Sequence, residues 1–399
     1  MRVLFLNQYY RPDPAATAQL LTDLAEYLAA PEQGCEVHVV CSRREYAGTG
    51  TRLPVREVHN GVHIQRVDAP IARFTATNSR TARLADFAAF GALALARCLS
   101  LPRPDVCVAM TSPPFVASLG VVLKRLRSTR LLLWMMDLYP DIASALGAVP
   151  ATAWSHRLAD RLGHVIYRHA ERIITPGYAM TERLCRAGIA AEKLDTVPNW
   201  SPNERMPRPT TSRADGPFRI LYSGHLGLAH EFDTVLDAAS HLRNRRDLRI
   251  TFAGRGPRRE ALMAETRRRG LDNVTFESPQ DLDRLPEFLA SADLHLVTMR
   301  EKAQGLVVPS KLYGILAAGR PAVFVGPAHN EVSRTLDTAG AGWTVAPGDG
   351  IELARHVTRL AADRALADRM GRQARRYYET HCTRHVRCRH LAHLIRHPA

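Results

Sequence analysis

Three stretches of this chain combine residue types that could handle a phosphate. Ile220-Leu221-Tyr222-Ser223-Gly224-His225-Leu226-Gly227 runs from an apolar strand into a glycine turn. Without Cβ atoms, the backbone N–H groups around Gly224 and Gly227 can come close to a phosphate. Ala253-Gly254-Arg255-Gly256-Pro257 repeats the device after the next strand, and Arg255 could pair with a phosphate oxygen. Either turn alone is more simply a strand ending in glycine. Two in one α/β domain carry more weight. Pro309-Ser310-Lys311-Leu312-Tyr313 holds helix-start residues followed by Gly319-Arg320-Pro321. Free N–H groups at a helix start, a hydroxyl and an ammonium make an anion site. An ordinary capped helix with an exposed lysine fits the same letters. Lys311 is, however, one of only four lysines among 54 cationic residues, which favours a need for a compact point charge there.

A proton could be handled at Leu133-Trp134-Met135-Met136-Asp137-Leu138-Tyr139-Pro140, where a carboxylate directly follows a buried strand. A strand-end aspartate in a doubly wound fold faces the ligand crevice, although taken alone Asp137 is more simply a helix or turn cap. The polar loop Gln8–Ala18 sits in the equivalent place after the first strand, and Asp13 or Thr17 could serve only to cap the next helix. Cys382, His385 and Cys388 lie three apart on one helical face and suggest zinc. The spacing matches no usual finger, a second ligand pair is lacking, and the surrounding arginines oppose a cation. No G-x-S-x-G elbow, H-E-x-x-H or Walker G-x-x-x-x-G-K-[ST] occurs, which disfavours α/β-hydrolases, zincins and P-loop NTPases.

The elements that must position these residues alternate strand and helix. Strands are expected at Val3–Asn7, Glu36–Ser42, Val62–Val67, Pro104–Met110, Leu131–Met136 and Arg172–Pro176. Helices are expected at Thr17–Ala30, Arg83–Leu99, Phe115–Leu126 and Ser155–Ala170, with Leu20, Leu21, Leu24, Tyr27 and Leu28 at helical spacing in the first. Near-continuous apolar strands of this kind mark a parallel, doubly wound sheet. Ser201–Pro217 holds four prolines and no apolar period, so it reads as a linker. The alternation then restarts with strands Phe218–Ser223, Leu248–Ala253, Val274–Phe276, Leu294–Val297 and Pro321–Val325, and with helices Phe232–Arg243 and Arg258–Gly270. We therefore expect a first domain over residues 1–200, a linker over 201–217 and a second domain over 218–370. A basic helical segment over 371–399 is expected to pack back towards the first domain. Ligands in such folds sit at the C-terminal strand ends.

The length of 399 residues suits two or three domains, and 46% hydrophobic with 23% charged residues is the balance of a folded protein. No stretch is long and apolar enough to span a membrane; the most apolar, Phe87–Ala96, is bounded by Asp86 and Arg97. Met1–Asn7 reads as a first strand and not as a signal peptide. Seven scattered cysteines fit a reducing compartment better than a disulfide framework. The net charge is +15, and 50 of the cations are arginine, which a GC-rich genome would also explain. Residues 351–399 alone hold 11 arginines against four acidic residues. That tail reads as a surface for anionic membrane, or equally as a solvated helical face.

Taken in order, these segments resemble the retaining glycosyltransferases of family 4, in the branch of colanic-acid and O-antigen (fucosaminyl-type) transferases. The resemblance rests on Asn7-Gln8-Tyr9-Tyr10-Arg11-Pro12 through Ala15-Ala16-Thr17-Ala18-Gln19-Leu20, Met136–Pro140, Val197-Pro198-Asn199-Trp200, Tyr222–Gly227, Ala253–Pro257 and Pro309–Pro321. It implies a GT-B fold: two Rossmann-like, doubly wound domains facing a central cleft. It further implies a nucleotide-sugar donor held mainly by the second domain, an acceptor met by the first, no cofactor and no metal. Carried over by position, Gly224, His225 and Gly227 would approach the diphosphate. Pro309, Ser310, Lys311 and Leu312 would lie at its phosphate oxygens, with Lys311 also catalytic. Arg255, Gly256 and the loop Glu277–Asp281 would lie near the nucleoside. Ala15, Ala16, Thr17 and the catalytic Asp137 would form the acceptor side.

Two departures from the family pattern stand out. Its paired glutamates fall here on Leu306 and Gly314, and Glu301 is out of register. Where many relatives have His-Asp, this chain has Met136-Asp137. The activity implied is transfer of a sugar, hexosyl or acetamido and UDP-linked, to a lipid-linked glycan in surface polysaccharide assembly. The protein would act in the cytoplasm at the inner face of the cell membrane, held by the basic tail and helix Arg83–Leu99. A UDP-sugar 2-epimerase on the same fold would need clustered carboxylates and histidines beyond Asp137. A non-catalytic polyanion binder is suggested by the charge, but no nucleic-acid module is visible, and at 7% aromatic residues the interleaving that nucleic acid needs is missing.

Overall fold

A computed structural model of the chain describes residues 1–44, 52–68, 80–147, 150, 152–201, 206–207 and 216–397. The chain divides into two units. Unit 1 comprises Met1–Pro176, Met180–Pro198 and Cys388–Ala399; unit 2 comprises Gly177–Ala179 and Asn199–Arg387. Residues 371–387, expected to leave the second domain, thus belong to unit 2, and the chain re-enters unit 1 only at Cys388. Most of the expected linker lies outside the described residues; of the rest, Met206 is buried in the unit 2 core.

Unit 1 is built on an eight-stranded sheet. Its strands are β1 (Arg2–Leu6), β2 (Glu36–Ser42), β3 (Arg56–His59), β4 (Val62–Val67), β5 (Val106–Ala109), β6 (Arg130–Trp134), β7 (Arg172–Thr175) and β8 (Leu194–Thr196). The order is β3-β4-β2-β1-β5-β6-β7-β8, and every pairing is parallel except β3 with β4. That hairpin turns at Asn60-Gly61, both at positive φ, the signature of a two-residue turn. The helices are α1 (Ala16–Ala29), α2 (Arg80–Ser100), α3 (Ala117–Arg127), α4 (Asp141–Ala145), α5 (Trp154–His169) and α6 (Tyr178–Arg186), whose first two residues fall in unit 2. Strands β1, β2, β5 and β6 are buried almost throughout because helices cover both faces of a parallel sheet.

Unit 2 has six parallel strands: β9 (Phe218–Ser223), β10 (Leu248–Ala253), β11 (Val274–Glu277), β12 (Leu294–Thr298), β13 (Ala322–Val325) and β14 (Gly342–Val345). Their order is β11-β10-β9-β12-β13-β14. The helices are α7 (Asp233–His241), α8 (Arg259–Arg268), α9 (Leu285–Ala290), α10 (Lys311–Ala317), α11 (Glu331–Ala339), α12 (Gly350–Ala362), α13 (Arg364–Tyr377) and α14 (Arg384–Arg396), the last crossing into unit 1. One core packs Phe232, Val235 and Leu353 on one face of the sheet; the other packs Leu312, Leu316 and Val332 on the opposite face. Both units are Rossmann-like, doubly wound domains. In each, strand order reverses beside the first strand, at β1/β5 and at β9/β12, and ligands bind outside such switch points.

Candidate functional sites

In unit 2 the two glycine turns form one interlocked structure. After β9, the Gly224 N–H donates to the Ala253 carbonyl at 2.9 Å. After β10, the Gly254 N–H donates to the Glu277 carbonyl at 3.2 Å, and the Leu226 N–H to the Arg255 carbonyl at 2.7 Å. A Cβ on Gly254 would stand 1.9 Å from the Gly224 carbonyl oxygen, and one on Gly256 would stand 2.3 Å from that of Leu226. No side chain fits at either position, so these glycines let two loops touch backbone to backbone.

Lys311, the first residue of α10, reaches into this structure. Its Nζ is buried, lies 3.5 Å from the centroid of the Tyr222 ring, and makes no hydrogen bond among the described residues. Gly224 makes the space, since a Cβ there would come within 3.3 Å of Nζ and Cε. Burial pushes the ammonium well below its ordinary pKa. Two imidazoles feel the same charge. Burial first, and then Lys311, lowers His230 to about 3, while its Nδ1 lies 2.7 Å from the Thr298 carbonyl. A neutral ring therefore donates from Nδ1. His225 is exposed and is pushed down by the same two causes.

The remaining sequence-derived donor residues differ in what they offer. Ser310 occupies the N-cap position of α10, but its hydroxyl makes no capping bond. Pro309 is buried. The Leu312 side chain is fully buried in the core, and its N–H donates to the Pro309 carbonyl at 3.3 Å, so it packs and is not free to bind. Arg255 is exposed and has no ion pair among the described residues. Leu306 is only 2% exposed, and a Cβ at Gly314 would meet Leu289 at 3.3 Å. Of the two positions where the family pattern has glutamates, the chain thus packs an apolar side chain at Leu306 and has none at Gly314. Tyr222 and His230 were not singled out from the sequence. The strand period would have found Tyr222, because residues two apart on β9 share a face, placing Tyr222 in line with Gly224.

In unit 1 the loops following β1, β2 and β5 are stitched together. The Gln8 N–H donates to the Ser112 carbonyl at 2.6 Å, and the Ser42 N–H to the Gln8 carbonyl at 2.8 Å. Asp137 follows β6, and its N–H reaches the Thr111 hydroxyl at 3.4 Å. It lines a cavity of about 30 Å³ with Thr111, Phe115, Tyr139 and Tyr167. Burial alone raises its carboxyl to about 6, with no cation lowering it. Phe115 holds a φ of 65°, unusual for a bulky residue. Ala15 caps α1, and Ala16 and Thr17 form its first turn. The buried Asp13 accepts the Ala15 N–H at 2.8 Å and so fixes this entry, while Thr17 makes no cap. Among the described residues no group of three or more His, Cys, Asp or Glu could hold a metal ion, and Cys382 and Cys388 are both buried.

Comparison with known proteins agrees with this architecture. Residues 16–200 match the model of a glycosyl transferase 4-like domain, and residues 206–377 match that of glycosyl transferases group 1. The chain is 26% identical to WcaI of Escherichia coli (strain K12), named for glycosyl transfer in colanic acid biosynthesis, over 85% of this chain and 86% of that one. It is 28% identical to WbjE of Pseudomonas aeruginosa, named as a glycosyltransferase, over 65% and 66%. Among solved structures, sucrose-phosphate synthase from Thermosynechococcus elongatus superposes with a TM-score of 0.76 at 16% identity, covering 99% of this chain and 98% of that one. Anabaena HepE in complex with UDP-glucose gives 0.71 at 16% identity, covering 99% of both.

Proposed function

From its membership of the glycosyltransferases that join a 4-like domain to a group 1 domain, we propose that this chain transfers a sugar from a UDP-linked donor to a lipid-linked glycan in surface polysaccharide biosynthesis. The observation that carries the donor half is Lys311: a buried ammonium without an anionic partner among the described residues, beside a glycine turn whose missing Cβ admits the lysine tip. A diphosphate supplies the missing negative charge. UDP is favoured because HepE, a structural neighbour, was solved with UDP-glucose.

The chemistry follows from where charge develops. The bond between the anomeric carbon and the diphosphate oxygen breaks, and its electron pair leaves with the nucleoside diphosphate. Lys311 stabilises that developing charge, the electrostatic contribution that dominates many such reactions. An acceptor hydroxyl forms the new bond on the same face, so configuration is retained, and its proton passes to the departing phosphate. This route needs neither a protein nucleophile nor a metal. Asp137, with its carboxyl raised to about 6, orients the acceptor hydroxyl in unit 1.

The test is to incubate the protein with UDP-sugars and a polyprenyl-diphosphate-linked acceptor in EDTA. UDP release coupled to product of unchanged anomeric configuration, seen by NMR, supports the proposal. Inverted product overturns retention, and activity that requires added metal overturns the metal-free route. Absence of transfer together with absence of UDP binding overturns the donor assignment.

A further inference from the structure

Helix α5 turns a continuous apolar stripe outward from unit 1. Trp154 is 77% exposed, Leu158 59%, Leu162 39% and Val165 43%. At about 100° per residue these four occupy one sector of the helix. The opposite sector, Gly163, Ile166 and Tyr167, is buried against the unit. Alongside the stripe Arg157, Arg161 and Arg168 are also exposed; the one acidic residue of the helix, the half-exposed Asp160, lies off the stripe with its carboxylate 3.6 Å from His164. The neighbouring end of α3 extends the patch, with Arg125 Nη2 3.1 Å from His169 Nε2 and Leu126 66% exposed.

We propose that this face docks unit 1 on an anionic lipid bilayer. Trp154 and the aliphatic side chains would enter below the headgroups while the arginines pair with lipid phosphates. A second copy of the same face fits poorly, because its arginines would meet like charges. No helix among the described residues is long and apolar enough to span a membrane, so the helix would lie on the surface. The two segments expected from sequence to touch lipid are less suited. The C-terminal helix buries Leu391, Leu394 and Ile395, and Arg396 donates to the Gln33 carbonyl at 3.0 Å. Helix α2 buries Phe90, Ala94 and Cys98 and exposes Leu93 alone among its large described hydrophobics. The proposal does not depend on the donor-site reading.

The full-length chain is tested by co-sedimentation with vesicles of phosphatidylcholine and phosphatidylglycerol in equal parts, and of phosphatidylcholine alone. Binding to the mixed vesicles is expected to be about tenfold stronger and to fall with salt. Trp154→Glu with Leu158→Glu should lose about tenfold or more of that binding, yet keep the thermal midpoint and any shift given by UDP. Arg157→Gln with Arg161→Gln, a milder surface change, should weaken only the dependence on anionic lipid. Brominated lipid should quench Trp154 fluorescence. Equal binding to both vesicle types, unchanged binding by the Glu variant, or a lipid-free dimer that this variant dissociates would each overturn the proposal.

Discussion

The Lys311 ammonium stands 3.5 Å from the centre of the Tyr222 ring and makes no hydrogen bond among the described residues. A ring face supplies some electrostatic compensation, on the order of 0.5–2 kcal/mol. It leaves the N–H donors of a buried cation unused, an arrangement suited to receiving an anion.

Replacing Lys311 should therefore separate stability from binding. Lys311→Met removes an uncompensated buried charge, so the unliganded thermal midpoint should hold or rise. Because folding lowers the lysine pKa, wild-type stability should increase as pH rises towards about 10.4; the variant should lack that rise. Affinity for a nucleoside diphosphate should fall by about a hundredfold, as expected when one member of a buried charge pair is removed. Calorimetry with UDP checks both parts.

Asp137 makes a prediction of opposite pH sense. Its carboxyl titrates near 6 in the folded chain and near 4 when unfolded, so between those values the native state holds the extra proton. Its ionisation cost is absent below pH 4 and fully present above pH 6. Asp137→Asn should be more stable than wild type above pH 6, by about 1–3 kcal/mol after allowing for partial solvent exposure. The two should converge below pH 4. Urea unfolding across this range measures the difference; transfer activity should fall in the same variant.

The glycine interlock predicts a contrast between two alanine substitutions. Gly254→Ala forces a Cβ to 1.9 Å from the Gly224 carbonyl and should cost more than about 3 kcal/mol. At Gly270, which also has a positive φ but open space around it, alanine should cost about 1–2 kcal/mol. Chemical denaturation of the two variants compares them directly.

Restoring the family's glutamates should succeed at one position only. Leu306→Glu buries a carboxylate where the side chain is 2% exposed and should cost several kcal/mol, on the order of 3. At Gly314, which is not fully buried, the new Cβ would meet only the flexible end of Leu289, at 3.3 Å, and the variant should fold at a smaller cost. Thermal midpoints of the two variants decide this.

Much of the fold was legible because apolar runs and their periods carry it: strands Phe218–Ser223 and Leu248–Ala253 fall where the letters put them. The short, half-polar β3 and β8 were not read, although Asn60-Gly61 signals the first hairpin. The β14 strand was missed because Gly342 and Thr344 break its apolar run. At the donor site the glycines and Lys311 could be named from sequence. Their interlocking could not, since it depends on backbone contacts between loops about 30 residues apart in the chain, a separation that local patterns do not encode. The burial of Leu312 was likewise hidden, because a helix start gives no indication of which side chain faces the core.

The central claim is that Lys311 and the glycine turn hold a nucleoside diphosphate. The most direct measurement is thermal unfolding of the purified chain in EDTA with UDP, GDP, ADP, TDP, CDP and UMP. A ligand at about 100 times its Kd should stabilise by ~2.7 kcal/mol. The account predicts a clear upward shift with UDP, smaller with UMP, and only a small residual shift, about 0.4 kcal/mol, in Lys311→Ala. No shift with any diphosphate, or a UDP shift unchanged in Lys311→Ala, would contradict it.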